Sequence, residues 1–584
     1  MSQPTTQYFA RIPKTVGLHT GAPDYTSVSG FASPSEVVRQ SLYSPNGKYF
    51  AYNTATGVTL IDPDSGSTLK TIEVENTLDF AFSPLGSILM TWERPKRDES
   101  RGGDFGPNIK LFRTETGEFI CDFVSRSQSN WQLQFTHDEK YCARMVTNQI
   151  EFYDSKNFTK PWARLRAENC SNFCVSPGQN YSVAVFTPEK SGKPASVRVY
   201  QFPNFEQPVS QKTFFKAEMA KMKWNKLGTA LLVLGSTDVD KTGKSYYGET
   251  NLYLLGIAGS YDSRIHLDKE GTIHDFAWSP NSREFGVVYG FMPTTTTIFD
   301  ARGNVVHTFP IAPRNSIFFS PHARFILIAG FGNLQGDVDI YDRQKQFSKI
   351  CTIEASNTSV CEWSPDGRYI LTATTSPRLR VDNGIKIWHY TGKLIYTKDY
   401  SELFATSWRP IDANLFPMRS TLSPAPTPHA SAATSAGKGS ASSADTPPKS
   451  AYVPPHARNR PGASGHVAPT TLYELEQSNN SVQRQVPGSA GRTIVGAPVK
   501  TGKKRNGANK VAEEPLPSIS FNAPASAEEK RIRSLLKKIR AIDELKVKRA
   551  KGEKLEDTQV KKIATEKDIL EELKSLGWSE ESQN

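Results

Sequence analysis

The segment 236–249 contains Gly243-Lys244-Ser245. Gly-Lys-Ser is how a P-loop ends, where backbone N–H groups cradle phosphates and the lysine reaches the terminal oxygens. The complete loop also needs a glycine five residues earlier, a strand before it and a helix after it. Position 238 is Asp, and its carboxylate would repel the phosphates. The flanking runs 230–234 and 251–255 are apolar and read as two antiparallel strands, so no helix N-terminus is expected to offer its dipole to an anion. A triphosphate site therefore falls on three counts. What remains is a long loop carrying Lys241, Lys244, Tyr246 and Tyr247. Cations with adjacent rings suit RNA, the charges for phosphate and the rings for bases.

No other chemistry emerges. No Ser/His/Asp set, paired carboxylates or His-rich cluster recurs, so no catalytic residue, cofactor or metal ligand is expected and the chain is read as a non-enzyme. Of six cysteines only Cys170 and Cys174 are close, and no second pair lies at zinc spacing. All six are read as reduced thiols of a cytoplasmic protein. The N-terminus has no apolar signal-peptide core, and no stretch of about 18 apolar residues suggests a membrane span. The net charge of +12 over 584 residues suggests an acidic partner.

The elements that must position these residues come from a repeat. An aromatic or apolar residue, then Ser-Pro or a relative, then a turn residue recurs at Tyr43, Phe82, Phe135, Val175, Trp224, Trp278, Phe319, Trp363 and Trp408, 39 to 54 residues apart. Apolar strands follow, and many units end in a loose Trp-Asp-like dipeptide and a turn, as in 385–392. Four short strands per unit of about 40–45 residues is the WD40 propeller pattern. The expected fold is all-β: a nine-bladed WD40-type β-propeller over residues 1–420. Eight blades would require discarding a signature, and those at Phe135 and Val175 are the weakest. After Trp408 only 414–418 reads as a further strand, so blade nine lacks outer strands. Residues 7–32 have no blade of their own and are expected to complete it, closing the ring and leaving no long free edge.

Calling the strands of each blade a to d from the centre outward, every b–c loop emerges on one face. The long b–c loops bring Arg94, Lys96, Arg97, Arg101, Lys190, Lys193, Lys241, Lys244, Arg378 and Arg380 to that side. Loops on a rigid scaffold are where binding usually sits, although charged loops are also ordinarily solvated and acids are interleaved here.

Beyond the propeller, 421–526 is rich in Ser, Ala, Pro and Thr and is read as a disordered basic linker. Two islands stand out, 451–461 with Arg458 and Arg460, and 500–510 with Lys503, Lys504 and Arg505. Residues 527–577 read as an amphipathic helical hairpin broken at Gly552, with 578–584 as a short end. Its first helix has an apolar stripe of Ile532, Leu535, Ile539 and Ile542. It also carries Arg533, Lys537, Lys538 and Arg540. Eight of the twelve net positive charges fall after residue 410, which suits salt-sensitive contact with phosphates.

Several stretches closely match one family: 236–249, Val288-Tyr-Gly-Phe-Met-Pro293, Ala329-Gly-Phe-Gly-Asn-Leu334, Pro377-Arg-Leu-Arg-Val381, the run 383–392, and Ala451-Tyr-Val-Pro-Pro455. Together with the final helical pair they resemble the eukaryotic translation initiation factor 2A family, the single-chain factors. The resemblance implies a nine-bladed propeller. It also implies a factor that helps place initiator methionyl-tRNA on the small ribosomal subunit without GTP, dependent on mRNA, on selected messages. The implied partners are the small subunit, initiator tRNA, mRNA and, through the tail, other initiation factors. The alternative left open is a WD40 protein-interaction scaffold whose basic tail is incidental.

Overall fold

Six of the nine signatures bend strand a into strand b through a side-chain oxygen that accepts from the N–H opening strand b. Ser364 accepts from the Tyr369 N–H at 2.9 Å, and Ser44 and Ser320 accept from Tyr49 and Phe325 at the same distance. Thr136 does this for Tyr141 at 3.1 Å, and the Asn225 side-chain carbonyl for Ala230 at 3.1 Å. The hydroxyl or amide satisfies a backbone group that the tight turn would otherwise bury unpaired. Many turns then need a residue at positive φ. Glycine supplies it at Gly47, Gly86, Gly228 and Gly367, whereas Glu139, Ser282 and Ala323 adopt it with a side chain.

In the computed structural model the chain is described over residues 4–433, apart from 98, 100, 101, 191, 238–247 and 258–260, and at Ile542 and Lys546. These residues form eight four-stranded antiparallel sheets and one three-stranded sheet. The nine-bladed reading holds, and the weak signatures at Phe135 and Val175 head genuine blades three and four. In blade nine, strand a is Ala405–Trp408, but strand b is Gln7–Arg11 and strand c is Val16–Thr20. Tyr8 lies opposite Trp408 in the antiparallel register, so the N-terminus closes the ring as expected. The expected strand at 414–418 does not form. Ala413–Leu415 is instead a 3-10 turn whose first free N–H, that of Asn414, is capped by Asp412 at 3.0 Å. Its place beside Trp408 is already taken by Gln7–Arg11.

Blades pack face to face, and among the described residues each of the nine blade interfaces has its own apolar cluster. Middle strands are therefore covered on both faces. Strand b of blade eight, Tyr369–Thr374, is buried throughout, which is why such strands read as unbroken apolar runs. Inner strands are also stitched to their neighbours by polar side chains. Gln40 holds both the N–H and the C=O of Phe80 (2.9 and 3.2 Å), and Gln134 accepts from the Val175 N–H at 2.8 Å and donates to the Phe173 carbonyl at 3.0 Å, joining blades three and four. Trp224 and Trp278 each donate an indole N–H to the preceding blade. Glu362 accepts from the Trp408 N–H at 3.0 Å. Burial pushes that carboxyl's pKa up, against the two groups that donate to it.

The chain divides into two units, Met1–Ala451 and Tyr452–Asn584. In the first, the chain past residue 420 still packs on blade eight. Ser423 bonds the Tyr390 hydroxyl, the His429 N–H reaches the Ile395 carbonyl at 2.8 Å, and Ala432 is buried. In the second unit Ile542 and Lys546 are helical and Ile542 is buried. The basic linker after 433 and the rest of the expected hairpin lie outside the described residues.

Candidate nucleic-acid interface

The antiparallel order of every blade puts all b–c loops, and all d–a connectors between blades, on one face. The segment with Gly243-Lys244-Ser245 joins strands b and c of blade five, Ala230–Ser236 and Thr250–Gly256, which pair antiparallel with Ser236 opposite Thr250. A strand partner therefore stands where a P-loop requires a helix. Lys241, Lys244, Tyr246 and Tyr247 themselves lie outside the described residues, as does Arg101.

In blade two, Arg94, Lys96 and Arg97 are exposed on the loop between Ile88–Trp92 and Ile109–Arg113. The described residues of that loop are tied together by hydrogen bonds. Asn108 holds the Glu93 and Ser125 carbonyls at 2.9 Å each, the Gly106 N–H bonds the Lys96 carbonyl, and Arg97 bridges Phe105. One of the loop's four acids, Glu93, is engaged by Lys110 at 3.1 Å. Sequence reading missed Arg126, whose guanidinium lies 5.4 Å from the Phe105 ring centroid. The signal was available, since Arg126 sits on a d–a connector and these share the b–c face.

In blade eight, Arg378 and Arg380 are exposed on the loop between Tyr369–Thr374 and Gly384–His389. Asn383 ties that loop down by donating to the Leu379 carbonyl at 2.7 Å and accepting from the Leu403 N–H at 2.9 Å. A Cβ on Gly332 would come within 3.1 Å of the Arg378 guanidinium, so the b–c loops of blades seven and eight touch. Among the described residues Arg94, Lys96, Arg97, Arg378 and Arg380 form no ion pair. Lys190 and Lys193 face each other across a small bridge in blade four, and both are exposed. Glu99, Asp104 and Asp382 on these loops are exposed, whereas two other acids are engaged. Glu189 accepts from the Lys216 N–H, and Glu249 pairs with the Lys216 ammonium at 2.8 Å.

The b–c face is mixed rather than purely basic. Phe291, Met292 and Val381 are exposed on it, beside Ile311 on a d–a connector. Among the described residues these cations are not brought into one enclosed site; they are spread around a rim. Among the described residues no group of acidic, His or Cys side chains could hold a metal ion, and no helix is long and apolar enough to cross a membrane. Arg458, Arg460, Lys503, Lys504, Arg505, Arg533, Lys537, Lys538 and Arg540 lie outside the described residues.

These features define a closed nine-bladed β-propeller that presents its chemistry on rim loops. A family model described as Eukaryotic translation initiation factor eIF2A matches residues 212–406, and one for the Eukaryotic translation initiation factor 2A C-terminal domain matches 530–576. Eukaryotic translation initiation factor 2A of Schizosaccharomyces pombe is 49% identical across 99% of this chain and all of its own length. The Saccharomyces cerevisiae protein of the same name is 37% identical over the same shares. A crystal structure of a eukaryotic initiation factor, 49% identical, superposes with a TM-score of 0.65, covering 70% of this chain and 99% of its own. The chain belongs to the eukaryotic translation initiation factor 2A family and is a translation initiation factor.

Proposed function

We propose that the protein helps direct initiator methionyl-tRNA to the small ribosomal subunit, without GTP and dependent on mRNA, on selected messages. The observation that carries this reading is the match to named initiation factors along nearly the whole chain. The propeller would dock through its b–c face, where Arg94, Lys96, Arg97, Arg378 and Arg380 form no ion pair among the described residues and the Phe291 ring is exposed. The basic segments after residue 410 would hold tRNA or mRNA and meet other initiation factors, all in the cytoplasm. Independence from GTP is supported by Asp238 and by the antiparallel strand that follows the Gly-Lys-Ser loop. The division into a propeller to about residue 420, a linker to 526 and a helical pair over 527–577 belongs to the same proposal.

The test compares the full chain with one ending at 433. Log affinity for initiator tRNA should fall steeply with log salt for the full chain. Removing the tail should weaken binding and flatten that slope, because fewer counterions are released. If the shorter chain bound small subunits and tRNA as tightly and as salt-sensitively as the full chain, the tail would have no part in holding RNA.

A further inference from the structure

Blades do not pack equally tightly out to the rim. Between blades three and four an open groove of about 560 Å³ is left at the b–c edge. Its floor is the blade-four sheet, where Arg198 on strand c (Ala195–Gln201) projects from the position opposite Val185 on strand b. Its walls are Arg166, Glu168 and Asn169 from blade three, and Lys190 and Lys193 from the blade-four loop. The single carboxylate, Glu168, is exposed and already pairs with Arg166 at 2.9 Å. Asn169 bonds the Lys190 ammonium at 3.2 Å and so sets that cation at the groove mouth. Among the described residues neither Arg198 nor Lys193 has an acidic partner.

Comparison with the sister grooves separates this one from general surface charge. The groove between blades five and six, about 500 Å³, sets Arg264 and Lys269 against Glu249, Asp268 and Glu270. That between blades seven and eight, about 490 Å³, sets Lys386 against Asp382 and Asp399. Acids outnumber Lys and Arg in both. Only the groove between blades three and four, of these three, sets four cations against one carboxylate. Such a donor-rich, acid-poor lining matches a ligand whose oxygens only accept, and the volume is larger than one phosphate requires.

We propose that this groove binds the sugar–phosphate backbone of a single RNA strand. The proposal rests on the reading that the b–c face of this initiation factor meets RNA, and it names where a strand would lie. Recognition there is of charge and backbone, with little preference for sequence.

The experiment uses the full chain and a labelled oligouridylate of about 12 nucleotides, within the site size of single-strand-binding domains, carrying one 4-thiouridine. Photo-crosslinking should place adducts within 185–200. The double reversal K193E/R198E should abolish those adducts, weaken the oligonucleotide about tenfold at low salt, and lower the salt slope by about 0.7 for each phosphate no longer neutralised. K269E/K386E, in the sister grooves, should bind as the unaltered chain does. Unchanged thermal unfolding of R198Q, with weakened crosslinking, would exclude loss of fold as the cause. Adducts confined to residues after 433, or equal losses from both double reversals, would overturn the groove. So would a polyglutamate peptide that displaces the RNA and depends equally on Arg198, since that would mark a site for an acidic protein. Recruitment of initiator tRNA to small subunits by the unaltered chain is measured alongside. If recruitment persists while K193E/R198E changes nothing, the groove is wrong and the functional reading stands. If the unaltered chain neither recruits tRNA nor binds the oligonucleotide, both fail.

Discussion

Ser364 and Ser279 occupy the same place in two blades but do different work. Both are buried. Ser364 accepts from the Tyr369 N–H and donates to Asp366, whereas the Ser279 hydroxyl has no partner among the described residues. Removing a hydroxyl that pairs a buried N–H leaves that group unsatisfied, at a cost of about 1–3 kcal/mol. Ser364→Ala should therefore lower the apparent unfolding midpoint by a few degrees, while Ser279→Ala should leave it nearly unchanged. Equal effects in differential scanning calorimetry would refute this assignment of the turn hydroxyl. Two histidines add a pH dependence. Burial, helped by the Lys398 charge, pushes the His19 pKa down to about 4; burial with Arg368 and Arg419 does the same to His389. Unfolded, each titrates near its ordinary value of about 6.5. The stability they confer as neutral rings is thus fully present above about pH 6.5. It is lost as pH falls from there towards 4, at up to about 1.4 kcal/mol per pH unit for each ring. The midpoint should drop between about pH 7 and pH 5, and H19Q/H389Q should flatten the drop. A midpoint level across that range would contradict it.

At the scale of elements, ring closure depends on segments some 400 residues apart in sequence. Gln7 donates to the Pro63 carbonyl at 2.7 Å and accepts from the Tyr43 hydroxyl, joining blade nine to blade one. Arg409 reaches the Gly47 carbonyl at 2.8 Å and the Asp64 carboxylate, which that contact holds below the usual carboxylate range. Among the described residues blade nine has three strands, and the chain at 421–433 packs close by. His429 packs edge-on to Tyr396 (5.3 Å) and Tyr25 (5.9 Å), which stack on each other at 4.4 Å. This strap ties blade eight to the segment that follows strand c of blade nine. A chain ending at 420 should unfold at a lower temperature than one ending at 433, by several degrees, because Tyr25 and Tyr396 lose cover. Equal midpoints would show that the strap contributes nothing to closure.

For the whole molecule, the salt response joins the two halves of the functional reading. The propeller carries a minority of the net charge and the residues after 410 the rest, so truncation at 433 should remove most of the salt slope and the groove reversal a smaller, additive part. If the two losses were not additive, tail and groove would be competing for one stretch of RNA rather than holding two.

The blade count was legible because its cause is local. A tight turn recurs where strand a meets strand b in blades one to eight, and in six of them a Ser, Thr or Asn oxygen caps it, whatever lies beyond. The strand on each side of the Gly-Lys-Ser segment was legible for the same reason, since the apolar runs 230–234 and 251–255 announce themselves within a few residues. The strand expected at 414–418 failed because its partner edge was filled by Gln7–Arg11, and nothing near residue 414 records that. Arg166 and Arg198 went unnoticed for a related reason. Each is an ordinary exposed cation on its own strand, and only the packing of blade three against blade four makes one groove of them. Local hydrogen bonding and strand alternation determined what each blade is. Contacts between distant segments decided how the ring closes, which carboxylates are spent, and which cations are left facing outward.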